Sequence, residues 1–174
     1  MPSRLNFPGH SVSLIAKLSL QLVPGDTSRP IEGMQPFPTG DVPYADDADG
    51  SHEPRYPSDF VPYKPRVDVL LVGHFHAPHG KPVAYGLVGL QLGEHTQRLQ
   101  VCGERMLRDL DQRWPPLTEA APFTQLPLRF CHAFGGVGYA ANPVGVGYAL
   151  TRGQPGPLPR IELPERTLSS ARAL

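Results

Sequence analysis

The sequence predicts a mainly β fold: an antiparallel sheet or sandwich with long Gly/Pro-rich loops and at most one or two short helices. Three observations carry this reading. The clearest periodic stretch alternates every second residue, which is the strand period. Two β-prone runs flank a short polar segment in the manner of a hairpin. Glycine (18) and proline (22) in 174 residues exceed the usual share of roughly 12%, and that punctuation disfavours long helices. The length suits one ordinary domain with its own core, so residues 1–174 are read as a single β-rich domain.

Taken in order, Val12, Leu14, Ala16, Leu18, Leu20 and Leu22 occupy every even position between Ser11 and Val23, which predicts a long, half-buried strand. Pro24, Gly25 and Asp26 supply turn chemistry, and residues 27–57 read as an irregular connection. The aliphatic run Val67 to Val72, closed by Gly73, predicts a buried strand. Val83 to Leu92 and Gln97 to Cys102 then predict a hairpin around the four residues 93–96. Glu104 to Trp114 places Met106, Leu107, Leu110 and Trp114 near one helical face before Pro115 and Pro116 stop it, although the same residues also suit a strand that turns. Leu126, Leu128 and Phe130 alternate again, and the glycines at 135, 136, 138, 145 and 147 open a loop.

Sixteen basic and sixteen acidic side chains cancel, which gives no net field toward nucleic acid or an anionic membrane. Asp41, Asp46, Asp47, Asp49, Glu53 and Asp59 cluster locally and read as a solvated acidic loop. Cys102 and Cys131 are the only cysteines, too few for a disulfide-stapled secreted fold, and the early apolar run is broken at Lys17. Neither a secretory segment nor a membrane span of ~20 apolar residues is visible, so the expected location is the cytoplasm.

His74, His76 and His79 form the sharpest chemical cluster. An H-x-H pair on a strand sends both imidazoles to one face, a spacing that can chelate a metal. A small metal-dependent enzyme using His74, His76 and His79 is therefore the alternative to a binding protein. Against it, Gly73, Pro78 and Gly80 suit a tight turn, and no metal or other cofactor is expected. Ser58 lacks a nucleophile elbow, and Cys131 beside His132 reads as a small buried hydrophobe. The glycines from Gly135 to Gly147 lack the lysine of a phosphate loop; they suit a structured turn entered through Asn142 and Pro143. Lys64 and Asp68 suit an exposed ion pair worth ~0–1 kcal/mol. Arg105 suits a structural anchor whose guanidinium satisfies several loop carbonyls.

SDFVPYKPRVDVLLVGHFHAPHGKPV (58–83), GER (103–105), APFTQLPLRFCHAFGG (121–136), NPVGVG (142–147) and LPRIELP (158–164) follow one another in an order that resembles the accessory family of bacterial type VI secretion clusters. That family is encoded beside VgrG spike and PAAR tip proteins. The resemblance implies a non-enzymatic adaptor or chaperone that stabilises or loads a PAAR-containing or VgrG-bound effector, and it transfers no catalytic residues. Its partners would be proteins, the PAAR-type effector and the VgrG spike, with no nucleic acid and no membrane. The signature positions are Asp59, Lys64, Pro65, Asp68, Gly73, Ala77, Pro78, Gly103, Arg105, Phe134, Gly135, Gly136, Asn142, Pro143 and Gly145, as family-signature or partner-binding candidates. Leu107 stands where the family usually has tryptophan, and His74 and His79 stand where small residues are commoner. Family members generally continue well past the LPRIELP-like segment, so the chain is expected to match their N-terminal half.

Overall fold

A strand persists only as far as a neighbour supplies backbone partners, and this rule fixes which of the expected strands form. The computed structural model describes residues 3–7, 10–31, 33, 37–46, 53–60, 68–108, 116–146 and 158–168. Their architecture is mainly β, with several small antiparallel sheets and two short 3₁₀ turns, Pro78–Gly80 and Phe130–His132. The chain divides into two compact units, Met1–Leu70 and Leu71–Leu174.

Among the described residues, the first unit holds three two-stranded ladders. β1 (Ser3–Phe7) pairs with β2 (His10–Leu14), β3 (Leu20–Gln21) with β4 (Arg29–Pro30), and β5 (Val42–Pro43) with β6 (Pro54–Tyr56). The long strand expected from Ser11 to Val23 is thus two short pieces. β2 ends at Leu14, opposite Ser3, and the second piece is short, Leu20 opposite Pro30 and Gln21 opposite Arg29, with Ser19 O accepting from Ile31 N at 3.0 Å beside it. The even-numbered leucines are not half-buried: Leu18 is 72% and Leu22 80% exposed. The turn after them forms as expected. Asp26 N donates to Val23 O at 3.2 Å around Pro24 and Gly25, and Gly25 takes φ 75, the positive value that the third residue of a type II turn requires.

The acidic connection is not simply solvated. Glu53 is buried, Asp41 Oδ1 accepts from Ser58 N at 2.8 Å, and Asp59 Oδ2 pairs with Lys17 Nζ at 2.8 Å. Short carboxylates here organise turns by accepting backbone and lysine donors. Asp47 and Asp49 lie outside the described residues.

The second unit contains β7 (His74–His76), β8 (Tyr85–Leu92), β9 (His95–Cys102), β10 (Gln125–Pro127) and β11 (Ile161–Glu162). β8 and β9 make the expected hairpin. Its loop is two residues rather than four, because Leu92 pairs directly with His95. Gly93 has φ 58, the glycine position of a II′ turn, whose twist matches the flanking strands. β11 adds to the far side of β9, with Ile161 opposite Val101, giving the order β11-β9-β8. β7 pairs with β10, Phe75 opposite Leu126.

Phe75, Ala77, Val101, Leu126 and Ile161 form the buried core, with Val83, Val88, Leu99, Phe123, Leu128 and Ala133 packed around it. Full burial of an aliphatic or aromatic side chain contributes about 1.5–3 kcal/mol. A side chain on Gly86 would overlap the Phe75 ring, so that glycine is what lets β7 lie against β8.

Two further expectations fail. Within Val67–Val72 the described residues form no strand, and Val69, Leu70, Leu71 and Val72 are 55%, 59%, 52% and 40% exposed. The neighbour that would extend the ladder, β10, gives one more bond, Leu128 N to Gly73 O at 2.9 Å. It then curls into the 3₁₀ turn at Phe130. The helix expected over Glu104–Trp114 is absent from its described part, where Leu107 instead bridges Leu117 and Arg108 N donates to Pro116 O at 2.8 Å. Cross-chain pairing there overrides helical propensity. Residues 109–115 lie outside the described residues.

Candidate functional site

Arg105 emerges just after β9, where Gly103 lies so close to the backbone of Ala121 that any side chain would collide with it. That approach turns Arg105 inward. Its guanidinium is buried against Glu162 of β11 as an ion pair, both side chains 3% exposed, and Nη2 also donates to Pro159 O at 2.7 Å while Nη1 donates to Leu168 O at 3.2 Å. Glu162 in turn accepts from Leu168 N at 3.3 Å. One guanidinium therefore ties the end of β9 to both sides of β11, the carbonyl-satisfying role its fork geometry suits. Arg105 Nε is buried without a hydrogen-bond partner.

Arg160 completes the clamp from the opposite direction. Its Nε donates to Cys102 O at 3.2 Å, and its guanidinium lies 5.6 Å from the centre of the Phe123 ring. Cys102 Sγ sits beneath, facing Arg160 O at 3.5 Å and Pro159 O at 3.9 Å. Burial pushes the Cys102 thiol up to about 11, opposed by the Arg105 charge and reinforced by Glu162. At neutral pH the thiol is protonated, which makes it a poor nucleophile.

The second cluster is the glycine loop. Asn142 is buried, and its Nδ2 donates to Phe130 O at 3.0 Å, Phe134 O at 3.0 Å and, more distantly, Ala133 O at 3.5 Å. Side chains at Gly135 or Gly145 would overlap Asn142. Gly136 adopts φ 119, a conformation L side chains rarely reach, and donates to Asn142 O at 2.8 Å. Phe134 meets Tyr139 edge-on at 5.4 Å, and Pro143 is exposed. The loop joins the clamp where Arg160 N donates to His132 O at 2.8 Å and Ala133 bridges Ile161.

The signature residues thus separate into groups. Gly103 and Arg105 belong to the clamp, while Phe134, Gly135, Gly136, Asn142, Pro143 and Gly145 belong to the glycine loop. Gly73 and Ala77 join β7 to the β10 segment, Ala77 N donating to Thr124 O at 2.7 Å, and Pro78 opens an exposed 3₁₀ turn. Asp59 is the Lys17 partner in the first unit, Asp68 is exposed, and Lys64 and Pro65 lie outside the described residues, as does the Lys64–Asp68 pairing. Sequence reasoning missed Glu162 and Arg160. The signal for Glu162 was a carboxylate set between Ile161 and Leu163.

His74 and His76 flank buried Phe75 and share the exposed face of β7, ring centres 6.0 Å apart. His79 lies in the following turn at φ 55. Among the described residues no group of three or more His, Cys, Asp or Glu side chains is arranged to hold a metal ion. No described helix is long and apolar enough to cross a membrane.

Comparison with protein families matches residues 9–173 to the family described as "Uncharacterized protein conserved in bacteria (DUF2169)". The chain belongs to the DUF2169 family. No curated protein and no solved structure matches it. The clamp and the glycine loop both fall inside the span shared with DUF2169, and Arg105, Glu162 and Asn142 are buried there. The same span carries exposed apolar residues, among them Leu18 and Leu22 and, within the 58–83 motif, Val69–Val72.

Proposed function

We propose that this DUF2169 protein is a non-catalytic cytoplasmic adaptor or chaperone of type VI secretion, which stabilises a PAAR-containing or VgrG-bound effector and helps load it onto the spike. The observation that carries the reading is the exposed run Val69, Leu70, Leu71 and Val72. Consecutive aliphatics left in water are costly unless a partner covers them, and exposed apolar patches mark protein interaction sites. The order of motifs from residue 58 to 164 supplies the secretion context. The clamp supports the same reading, since Arg105, Glu162 and Cys102 are held in backbone contacts within the fold.

Co-expression with the products of neighbouring genes tests this. The tagged chain is expected to co-purify with a PAAR-containing effector and, through it, VgrG. Leu70→Glu/Leu71→Glu is expected to abolish capture without changing the melting temperature. Failure to retain any PAAR-containing or VgrG protein from a co-expressed cluster would refute the proposal.

A further inference from the structure

Going beyond the adaptor reading, we infer that the outer edge of β8 docks a second copy of this chain, the two β8 strands pairing antiparallel about a two-fold axis to join two three-stranded sheets. In the order β11-β9-β8 only β8 forms the rim on its side. Leu92 and His95 flank a two-residue turn, so they exchange both ladder bonds, and alternation then directs the backbone of Leu90, Val88 and Gly86 toward β9. Tyr85, Leu87, Gly89 and Gln91 therefore turn their N–H and C=O groups outward. Val83, next in that series, is taken by Phe123 through bonds of 3.0 and 2.9 Å. The Phe123 chain then leaves, because Ala121 N is committed to Glu104 O at 2.9 Å. From Tyr85 to Gln91 no backbone partner is present among the described residues.

Natural edges are blunted by proline, charge, a bulge or shortness. This one has none of them: YGLVGLQL is eight residues long, contains no proline or charged side chain, and pairs with β9 in unbroken register. Leu87 is 67% exposed.

Self-pairing fits the edge in three ways. The register that uses the whole free edge, centred on Val88, sets Leu87 opposite Gly89 and Tyr85 opposite Gln91 of the second copy, large against small or flat. Sliding further toward Val83 is blocked by Phe123, which fixes that register. Lys81 precedes β8 and Glu94 follows it, so antiparallel copies bring the positive end of one strand to the negative end of the other at both ends of the interface. An isologous contact of this kind closes at two subunits.

Light scattering coupled to size-exclusion chromatography tests the inference on the full chain, alone and without neighbouring gene products. The expected mass is twice the chain mass. It should fall by half in Leu87→Lys, a substitution at an exposed side chain, and in Gly89→Pro, which removes an outward N–H at an edge strand, where proline is tolerated. Amide hydrogen exchange on the unsubstituted chain needs no variant: Tyr85, Leu87, Gly89 and Gln91 amides should exchange slowly when concentrated and quickly on dilution. A monomer at all concentrations overturns the inference. So does a dimer whose odd-numbered β8 amides exchange freely, since its contact lies on another surface. Neither result bears on effector capture, so this inference and the adaptor proposal fail separately.

Discussion

Arg105 and Glu162, 57 residues apart in sequence, meet as an ion pair in which each side chain is 3% exposed. Removing two charges from water is expensive, and the pair is stable only because backbone groups share the load: the guanidinium donates to Pro159 and Leu168 carbonyls, and the carboxylate accepts from Leu168 N. Breaking it from one side leaves a buried charge without compensation. Arg105→Met and Glu162→Gln are each expected to lose about 3–5 kcal/mol in urea denaturation. Arg105→Met/Glu162→Gln should cost clearly less than the sum of the single variants. Strict additivity would show that the pair is not coupled.

Cys102 gives the fold an alkaline weakness. Its thiol is raised from 9.0 to about 11 by burial, so the folded chain keeps a proton that the unfolded chain releases. Stability from this group is fully present below about pH 9 and is lost as pH rises toward 11, by roughly 2–3 kcal/mol. Thermal melts from pH 8 to 10.5 should show that slope in the parent chain and a shallower one in Cys102→Ala.

Asn142 is oriented by what surrounds it. Its Nδ2 faces the carbonyls of Phe130 and Phe134, so Asn142→Asp would replace a donor by an acceptor against carbonyl oxygens. The expected loss is about 2 kcal/mol or more, with the far-ultraviolet spectrum retained below the lowered melting temperature. Gly135→Val should lose at least as much, because its side chain would overlap the Asn142 backbone.

Gly86 and Phe75 are coupled by contact. Gly86→Ala should destabilise by about 1–3 kcal/mol, since Cβ would overlap the Phe75 ring. The smaller ring space of Phe75→Leu should recover part of that loss in the double variant, read as a double-mutant cycle.

Local chemistry made some of this legible in the sequence. The Pro24–Gly25 turn and the β8/β9 hairpin depend on residues adjacent in the chain, so dihedral preference and alternation suffice to find them. Arg105 as an anchor was legible from its fork of donors next to glycine. Glu162 was not, because its meaning comes from a partner 57 residues away. The run at Val67–Val72 misled for the complementary reason. Its composition is that of a buried strand, but burial is decided by the neighbour, and the β10 segment turns away after Leu128.

The most direct test of the adaptor account is the solubility of a client. A PAAR-containing effector from the same gene cluster would be expressed alone, with this chain, and with Leu70→Glu/Leu71→Glu, and its soluble yield quantified. The account predicts an effector that is soluble and co-purifies only with the unsubstituted chain, while the substituted chain remains folded. Equal soluble yield in all three cases, with no complex recovered, would contradict it.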